Sequence, residues 1–356
     1  MGNQRISVSF SELKQGMIVA SDVEQGGRVI IKKGVEITEP IIERLQRIYY
    51  IGTIEVYGES ENKQEKRPSE KKLIEFNKIE DELSEISVSL KSTLNKICSN
   101  NDDGFLDDIQ EFTRRIKEEI EPHSLIIKNV VLHGSGSDVI YRHGVNVSAL
   151  SALLGMWIGL SEQQLNLLVY SALLHDCGKM KVDFDLLYKP GRFTESEYNE
   201  IKKHSELGYD MVKKVPNLDK SVSYGVLMHH ERMDGSGYPL GIMGDKIHTF
   251  GRIIAVADVF DAINSDRGYE KKKAPFEALR IVQEEGLGRL DYQYVKIFLE
   301  HIVNYYLGEE VLLNNGDRCK ILQMNTNAIQ RPLVLKDGEF IDLTKHKELY
   351  IKEMLL

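Results

Sequence analysis

From residue 123 to about 307, apolar side chains recur at three- and four-residue spacing, the period of helices that bury one face. Pro190-Gly191 and the Gly235–Gly244 stretch are the main interruptions. Thr194, with Glu197 three residues later, predicts a capping box ahead of the helix that carries His204. Leu73 to Ile120 repeats the helical spacing with a polar break at Ser99–Gly104, which predicts two connecting helices. Two readings of their apolar stripe stay open: packing on the domain that follows, or signal transmission and homodimer formation.

The two ends of the chain read differently. Met17–Val23 and Arg28–Ile31 are short β-prone runs around Glu24-Gln25-Gly26-Gly27, and Thr53–Tyr57 alternates as a closing strand. Between them Thr38 is placed to cap a helix with Pro40 in its first turn, its stripe formed by Ile41, Ile42, Leu45, Ile48 and Tyr49. Glu59–Lys72 has the composition of a solvated linker. Beyond 307, Asn315-Gly316 and Asp337-Gly338 are hairpin turns between Val311–Leu313, Lys320–Gln323 and Leu333–Leu335. The expected fold is mainly α. Residues 1–58 form a small α/β module, 59–122 a linker with connecting helices, 123–308 an all-helical domain, and 309–356 a short β-strand extension.

Composition narrows the class. With 356 residues, 42% hydrophobic and 28% charged, the chain is globular and long enough for two or three modules. Its formal net charge of −9 argues against binding a nucleic-acid polymer. The excess is local, since residues 59–122 hold eleven basic and seventeen acidic side chains, so a small anionic substrate is compatible with the rest. Cys98, Cys177 and Cys319 are odd in number and far apart, which excludes a disulfide framework and suits a reducing cytoplasm. MGNQRISVSF lacks the apolar run of a signal peptide. The uncharged run from His143 to Ser161 carries Asn146, Ser148, Ser151 and three glycines, so it predicts a buried helix and no membrane span.

The chemistry lies in the histidines. His143, His175-Asp176, His204, His229-His230 and Asp258 fall in helical segments that are otherwise apolar. Imidazole and carboxylate are ligands for borderline and hard divalent metals, and an uncompensated buried acid is costly. Neighbouring residues on a helix point about 100° apart, so both imidazoles of His229-His230 reach one cluster only near a helix end. Asp261, one turn after Asp258, and Glu231 are expected to support ligands from behind.

His175-Asp176-Cys177-Gly178-Lys179 resembles the HDxGK signature of the HD metal-dependent phosphohydrolases, and His229–Pro239, HHERMDGSGYP, resembles the HHExxDGxGYP signature of their HD-GYP subfamily. Lys189-Pro190-Gly191, His204, Asp258 and Ser265-Asp266-Arg267 also fall where that subfamily has its KPG, His, Asp and SDR elements. The resemblance covers roughly residues 135–300. It implies a helical domain that hydrolyses cyclic di-GMP to pGpG and GMP with a two-metal-activated hydroxide, the metals being iron or manganese. By position, His143, His175, Asp176 and Asp258 would hold one ion, and Asp176, His204, His229 and His230 the other, with Asp176 bridging. Lys179 would act with Asp176 in catalysis by offsetting charge on the phosphate. Arg267, Tyr238, Lys271, Lys272 and Asp234 would contact substrate, Tyr238 offering a ring face to guanine. The GYP loop is also implied as a surface for diguanylate cyclase (GGDEF) domains.

Two departures from the family pattern bear on mechanism. Members with a third metal carry a glutamate four residues before the first histidine, whereas this chain has Val139, so two metals are expected. After the SDR element the family often has Arg-Pro-Tyr-Lys, and here Arg267-Gly268-Tyr269-Glu270 stands instead. Glu270 would repel a phosphodiester, which leaves Lys271, Lys272 and Lys273 to substitute by a small loop shift. Two alternatives remain open: a phosphodiesterase for cyclic GMP-AMP, and a cyclic dinucleotide receptor with weak or no turnover.

Overall fold

A computed structural model describes residues 4–9, 13–25, 28–39, 41–42, 53–58, 70–99, 104–120, 123–136, 138, 140–189, 191–265, 275–325 and 328–355. The chain divides into two compact units, Met1–Lys71 and Lys72–Leu356.

The strands of the first unit are β1 (Gln4–Ser9), β2 (Ile18–Val19), β3 (Val23–Gln25), β4 (Arg28–Ile31) and β5 (Thr53–Gly58). One sheet has the order β1-β5-β2 and is antiparallel, with Ile6 opposite Val56 and Val8 opposite Ile54. Along β5, Ile54 and Val56 are buried while Glu55 between them is exposed, the period-2 pattern of a sheet with one covered face. The run Met17–Val23 therefore divides: its middle pairs with β5, and Val23 opens an antiparallel hairpin with β4. The sequence reading places no strand at 4–9, although Ile6 and Val8 alternate there with Arg5 and Ser7. After Thr38, the backbone N–H groups of Ile41 and Ile42 donate to its carbonyl at 2.9 and 3.0 Å. Pro40, Leu45, Ile48 and Tyr49 lie outside the described residues.

The second unit contains α1 (Glu70–Cys98), α2 (Phe105–Ile120), α3 (His123–His133), α4 (Tyr141–Trp157), α5 (Glu162–Leu174), α6 (Phe184–Leu187), α7 (Glu195–Lys202), α8 (His204–Val212), α9 (Lys220–Met228), α10 (Thr249–Asn264), α11 (Pro275–Glu285) and α12 (Tyr292–Ile302). At its centre is α4, buried without interruption from Arg142 to Gly155. That explains the uncharged run as far as Gly155, because this part of the helix has no solvent face and packs on α5 and α10. No described helix is long and apolar enough to cross a membrane.

The stripes of α1 and α2 face the same interior. Ile79, Leu83, Ile86, Leu90, Leu94 and Ile97 on α1 and Phe105, Ile109, Phe112, Ile116 and Ile120 on α2 recur every three or four residues and belong to one core with α4 and α5. Packing on the domain is thus what the stripe does in this chain. Polar pairs set the register: Thr93 Oγ1 and Lys96 Nζ donate to Asp108 Oδ2 at 2.8 and 2.7 Å, and Arg115 pairs with Glu82.

The capping box at Thr194 is present, but it starts α7, which ends before His204. At the break, Lys203 N–H donates to Glu200 and Ile201, tightening the last turn, and His204 opens α8. The expectation that the capped helix carries His204 is corrected accordingly.

The C-terminal strands β6 (Glu310–Leu313), β7 (Arg318–Gln323), β8 (Leu333–Lys336), β9 (Glu339–Asp342) and β10 (Ile351–Met354) form an antiparallel sheet of order β10-β6-β7-β8-β9. Asp337 and Gly338 both have positive φ, 48° and 88°, as a two-residue hairpin turn requires. Val311, Leu313, Cys319, Ile321 and Val334 are buried in the same core as the helices, so this sheet is a layer of the unit.

A candidate metal centre at helix ends

Three of the five candidate imidazoles stand where helices stop or start. His175 is the C-cap of α5, His229 the C-cap of α9, and His204 the first residue of α8. Carbonyls in a last helical turn lack intrahelical donors. Each ring uses one: His175 Nδ1–H donates to Ala172, His204 Nδ1–H to Ile201 and His229 Nδ1–H to Val226, all at 2.7 Å. This local bond fixes the tautomer and orients the ring so that Nε2 carries the free lone pair. His143 lies inside α4, where backbone carbonyls are already used. Its Nδ1 donates instead to Asp261 Oδ2 at 2.7 Å, leaving Nε2 3.0 Å from Asp258 Oδ1.

Asp176 sits at the middle and is 2% exposed. Its Oδ2 lies 3.2 Å from His175 Nε2 and 3.5 Å from His143 Nε2, while Oδ1 lies 3.2 Å from His204 Nε2 and 3.8 Å from His229 Nε2. The two oxygens of one carboxylate thus face different imidazole groups. Among the described residues, potential ligand atoms gather as His143, His175 and Asp258 in one set and Asp176, His204, His229 and His230 in another, each within 4.8 Å. His175 Nε2 and Asp176 Oδ1 are buried with no hydrogen-bond partner, despite the short distances around them. Convergence without hydrogen bonding is costly for polar atoms unless a cation sits among them. The donor set therefore fits divalent metal.

The charge states agree. Burial works to raise the Asp176 carboxyl, but the Lys179 ammonium and neighbouring imidazoles outweigh it and hold it well below the usual range. Burial opposes ionisation of Asp258 too, and the hydrogen bond and charge of His143, with His230 and His175, together override it and hold its carboxyl well below the usual range. Burial and the adjacent rings push His229 and His230 well below ordinary histidine, so both are neutral and able to coordinate. For His143 burial lowers the value, yet its bonds to Asp258 and Asp261 bring it up to about 9. Cation binding there displaces a proton.

Two glycines permit the close approaches that shape the site. A Cβ on Gly178 would sit 1.9 Å from the His204 carbonyl oxygen, and one on Gly237 would sit 2.4 Å from the Arg232 nitrogen. The glycine of HDCGK lets the chain after Asp176 lie against the start of α8; that of the GYP loop lets the loop fold back beside His230.

The remaining candidates occupy varied places. Lys179 Nζ is 2.5 Å from Asp176 Oδ2, on the cluster itself. The Tyr238 ring is 4.6 Å from the His230 ring, and burial pushes its hydroxyl up. Glu231 is buried, and its carboxylate accepts from Leu240 and Ile242 N–H at 2.6 and 3.2 Å, which fastens the GYP loop. Asp234 is exposed, and its carboxylate accepts from Ser236 N–H and Oγ–H within the turn. Asp138 accepts from Ile140 and Tyr141 N–H, at the start of α4. Lys189 pairs with Glu197 at 2.7 Å. Arg267, Glu270, Lys271, Lys272, Lys273 and Val139 lie outside the described residues.

Sequence reasoning expected Asp261 behind the ligands, where it does hold His143, but missed the side chains that hold Asp261 in turn. Asn146 Nδ2 donates to Asp261 Oδ1 at 2.8 Å and Ser135 Oγ donates to Asp261 Oδ2 at 3.0 Å. A buried Asn one turn after a histidine in an apolar helix was the available signal for the first; nothing in sequence points to Ser135.

Residues 125–293 match the family model for the HD domain. The chain carries an HD domain. HD domains bind divalent metal, as the donor set above accommodates. The chain is 32% identical over 219 residues to a cyclic di-GMP phosphodiesterase of Pseudomonas aeruginosa, covering 62% of this chain and 53% of that one. It is 35% identical over 190 residues to a 3'3'-cGAMP-specific phosphodiesterase of Vibrio cholerae, covering 53% and 43%. The chain thus spans about half, or less, of the length of these curated relatives. A solved HDG"Y"P protein of Bdellovibrio bacteriovorus superposes with a TM-score of 0.50 at 18% identity, over 83% of this chain and 99% of that one, a likeness of fold.

Proposed function

We propose that the HD domain hydrolyses the phosphodiester bonds of cyclic di-GMP to pGpG and GMP. The observation that carries this reading is Asp176, whose two oxygens face separate histidine groups, as a bridge between two ions would. The ions proposed are iron or manganese, since the donors are imidazole and carboxylate with no thiolate. Metal bound there supplies Lewis acidity and lowers the pKa of a coordinated water. His143, His175, Asp176 and Asp258 are the proposed holders of one ion, and Asp176, His204, His229 and His230 of the other. The chain's own groups do the rest. Lys179, held against Asp176, offers a cation to the phosphate oxygens. Tyr238, beside His230, presents a ring face at the mouth of the cluster for a guanine base. Arg267, Lys271 and Lys272 are proposed to hold the phosphodiester.

A second reading, turnover of cyclic GMP-AMP, is favoured by the Vibrio relative, whose name carries that specificity. A receptor with little turnover is the third, and it leaves a bridging carboxylate without a task. Cytoplasmic location, contact of the GYP loop with diguanylate cyclase domains, and a homodimer belong to the same proposal. The test is anaerobic incubation of purified protein with cyclic di-GMP, with iron and manganese measured on the same sample. Appearance of pGpG or GMP at about two metals per chain supports the reading. Two metals with no product would sink cyclic di-GMP hydrolysis and send the test to cyclic GMP-AMP.

A further inference from the structure

Behind His143 the hydrogen bonds do not stop at Asp261. Asn146, fully buried and one turn along α4 from the histidine, donates through Nδ2 to Asp261 Oδ1 at 2.8 Å. Its Oδ1 accepts from Arg142 Nε at 3.1 Å. Arg142 is 8% exposed, and its two Nη groups donate to Glu80 on α1, at 2.7 Å to Oε2 and 3.1 Å to Oε1. The same guanidinium donates to Asn129 Oδ1 on α3 at 3.0 Å and to Ser84 Oγ on α1 at 2.9 Å. His133 Nδ1 completes the surroundings of Glu80 at 3.0 Å from Oε2. Four helices therefore meet in one polar chain that starts on α1 and ends on the imidazole facing Asp176.

Such a chain has a physical reason to act as a unit. Arg142 is buried beside apolar residues, and a buried charge deprived of its partner is strongly destabilising, so it holds Glu80 and Asn146 together. Asn146 cannot rotate to serve one neighbour without abandoning the other, because its amide has one donor end and one acceptor end in use. A shift of α1 is thereby passed to Asp261, and from Asp261 to the His143 ring.

The geometry points to Glu80, Arg142 and Asn146 as positioning residues that tie α1 to the metal ligand His143 through Asp261. α1 thus sets how well the ion held by His143 is bound. This rests on the metal reading above and adds where that site is adjusted. In the other set, the Nδ1 atoms of His204 and His229 are held by backbone carbonyls three residues back.

The experiment is titration of chelator-stripped full-length chain with Mn(II), followed by the electron paramagnetic resonance signal of free ion, for wild type, Glu80→Ala, Asn146→Ala and the double variant. Each single variant is expected to weaken one of two Mn(II) sites about tenfold and leave the other unchanged. In the Asn146→Ala background, Glu80→Ala should add nothing, since its effect travels through Asn146. Independent, additive losses would overturn the relay, as would unchanged Mn(II) binding in Glu80→Ala beside a lowered melting temperature. Should Asn146→Ala fail to fold, Glu80→Gln carries the decision: it keeps the size and one acceptor, and unweakened Mn(II) binding rejects the proposal. No Mn(II) binding by the wild-type chain would sink the metal reading and this one together. Binding insensitive to Glu80 would sink this one alone.

Discussion

His175, His204 and His229 lean on carbonyls three residues back in their own chain, whereas His143 leans on Asp261, a side chain 118 residues downstream. The first arrangement is built by any helix that ends in the right place. The Nδ1 bond that orients each of these rings uses a backbone carbonyl and no second side chain. The second needs α4 and α10 to be in register, and Asn146 and Ser135 to be correctly placed around Asp261. One part of the centre is thus locally determined and stiff, and the other is held by tertiary contacts and open to adjustment.

Asp176 is common to both parts, so its loss should break the comparison altogether. Asp176→Asn is expected to lower metal affinity by more than the roughly 100-fold typical of residues behind a ligand, with loss of turnover. Metal content by mass spectrometry after dialysis checks it; retention of two ions would remove Asp176 from the bridge. Asp261→Asn isolates the adjustable part, since the change keeps size but weakens the hold on His143 Nδ1. A loss of 10- to 100-fold in affinity at one ion is expected, with the other unchanged. Equal weakening at both would show that the parts are not separately held.

The locally built part is tested through its backbone. Gly178→Ala forces a Cβ to within 1.9 Å of the His204 carbonyl oxygen, so the chain must shift at α8. A loss of about 1–3 kcal/mol in urea unfolding is expected, the usual range for overpacking. An unchanged midpoint would mean that the approach relaxes freely.

The smallest effect concerns pH and Glu80. Burial raises its carboxyl, yet the hydrogen bond and charge of Arg142, with Asn129 and His133, together outweigh burial and hold it below 4.5. A carboxyl with a lowered folded value contributes stability fully above its unfolded value and loses it as pH falls through the folded one. The melting-temperature gap between wild type and Glu80→Gln should therefore be constant near neutrality and shrink as pH drops below 4.5. A gap that persists into strong acid would assign the effect to packing.

Legible in the sequence were the helical class, the turns at Asn315-Gly316 and Asp337-Gly338, the buried character of the uncharged run as far as Gly155 and the identity of the seven candidate ligands. Each of these is written in local periodicity or in residue chemistry that has few other uses inside apolar helices. The break between α7 and α8 was not legible, because Lys203 and His204 continue a helical pattern, and the bonds of Lys203 N–H and the His204 ring at the last turn have no local sequence signal. Nor was the task of Glu231, which depends on where the GYP loop folds back. The stripes of α1 and α2 fit either a partner or their own core, and periodicity is the same in both. Tertiary structure alone decided the pairing of Glu80 with Arg142 and of Asn146 with Asp261, since hydrogen bonds across 62 and 115 residues leave no spacing to read.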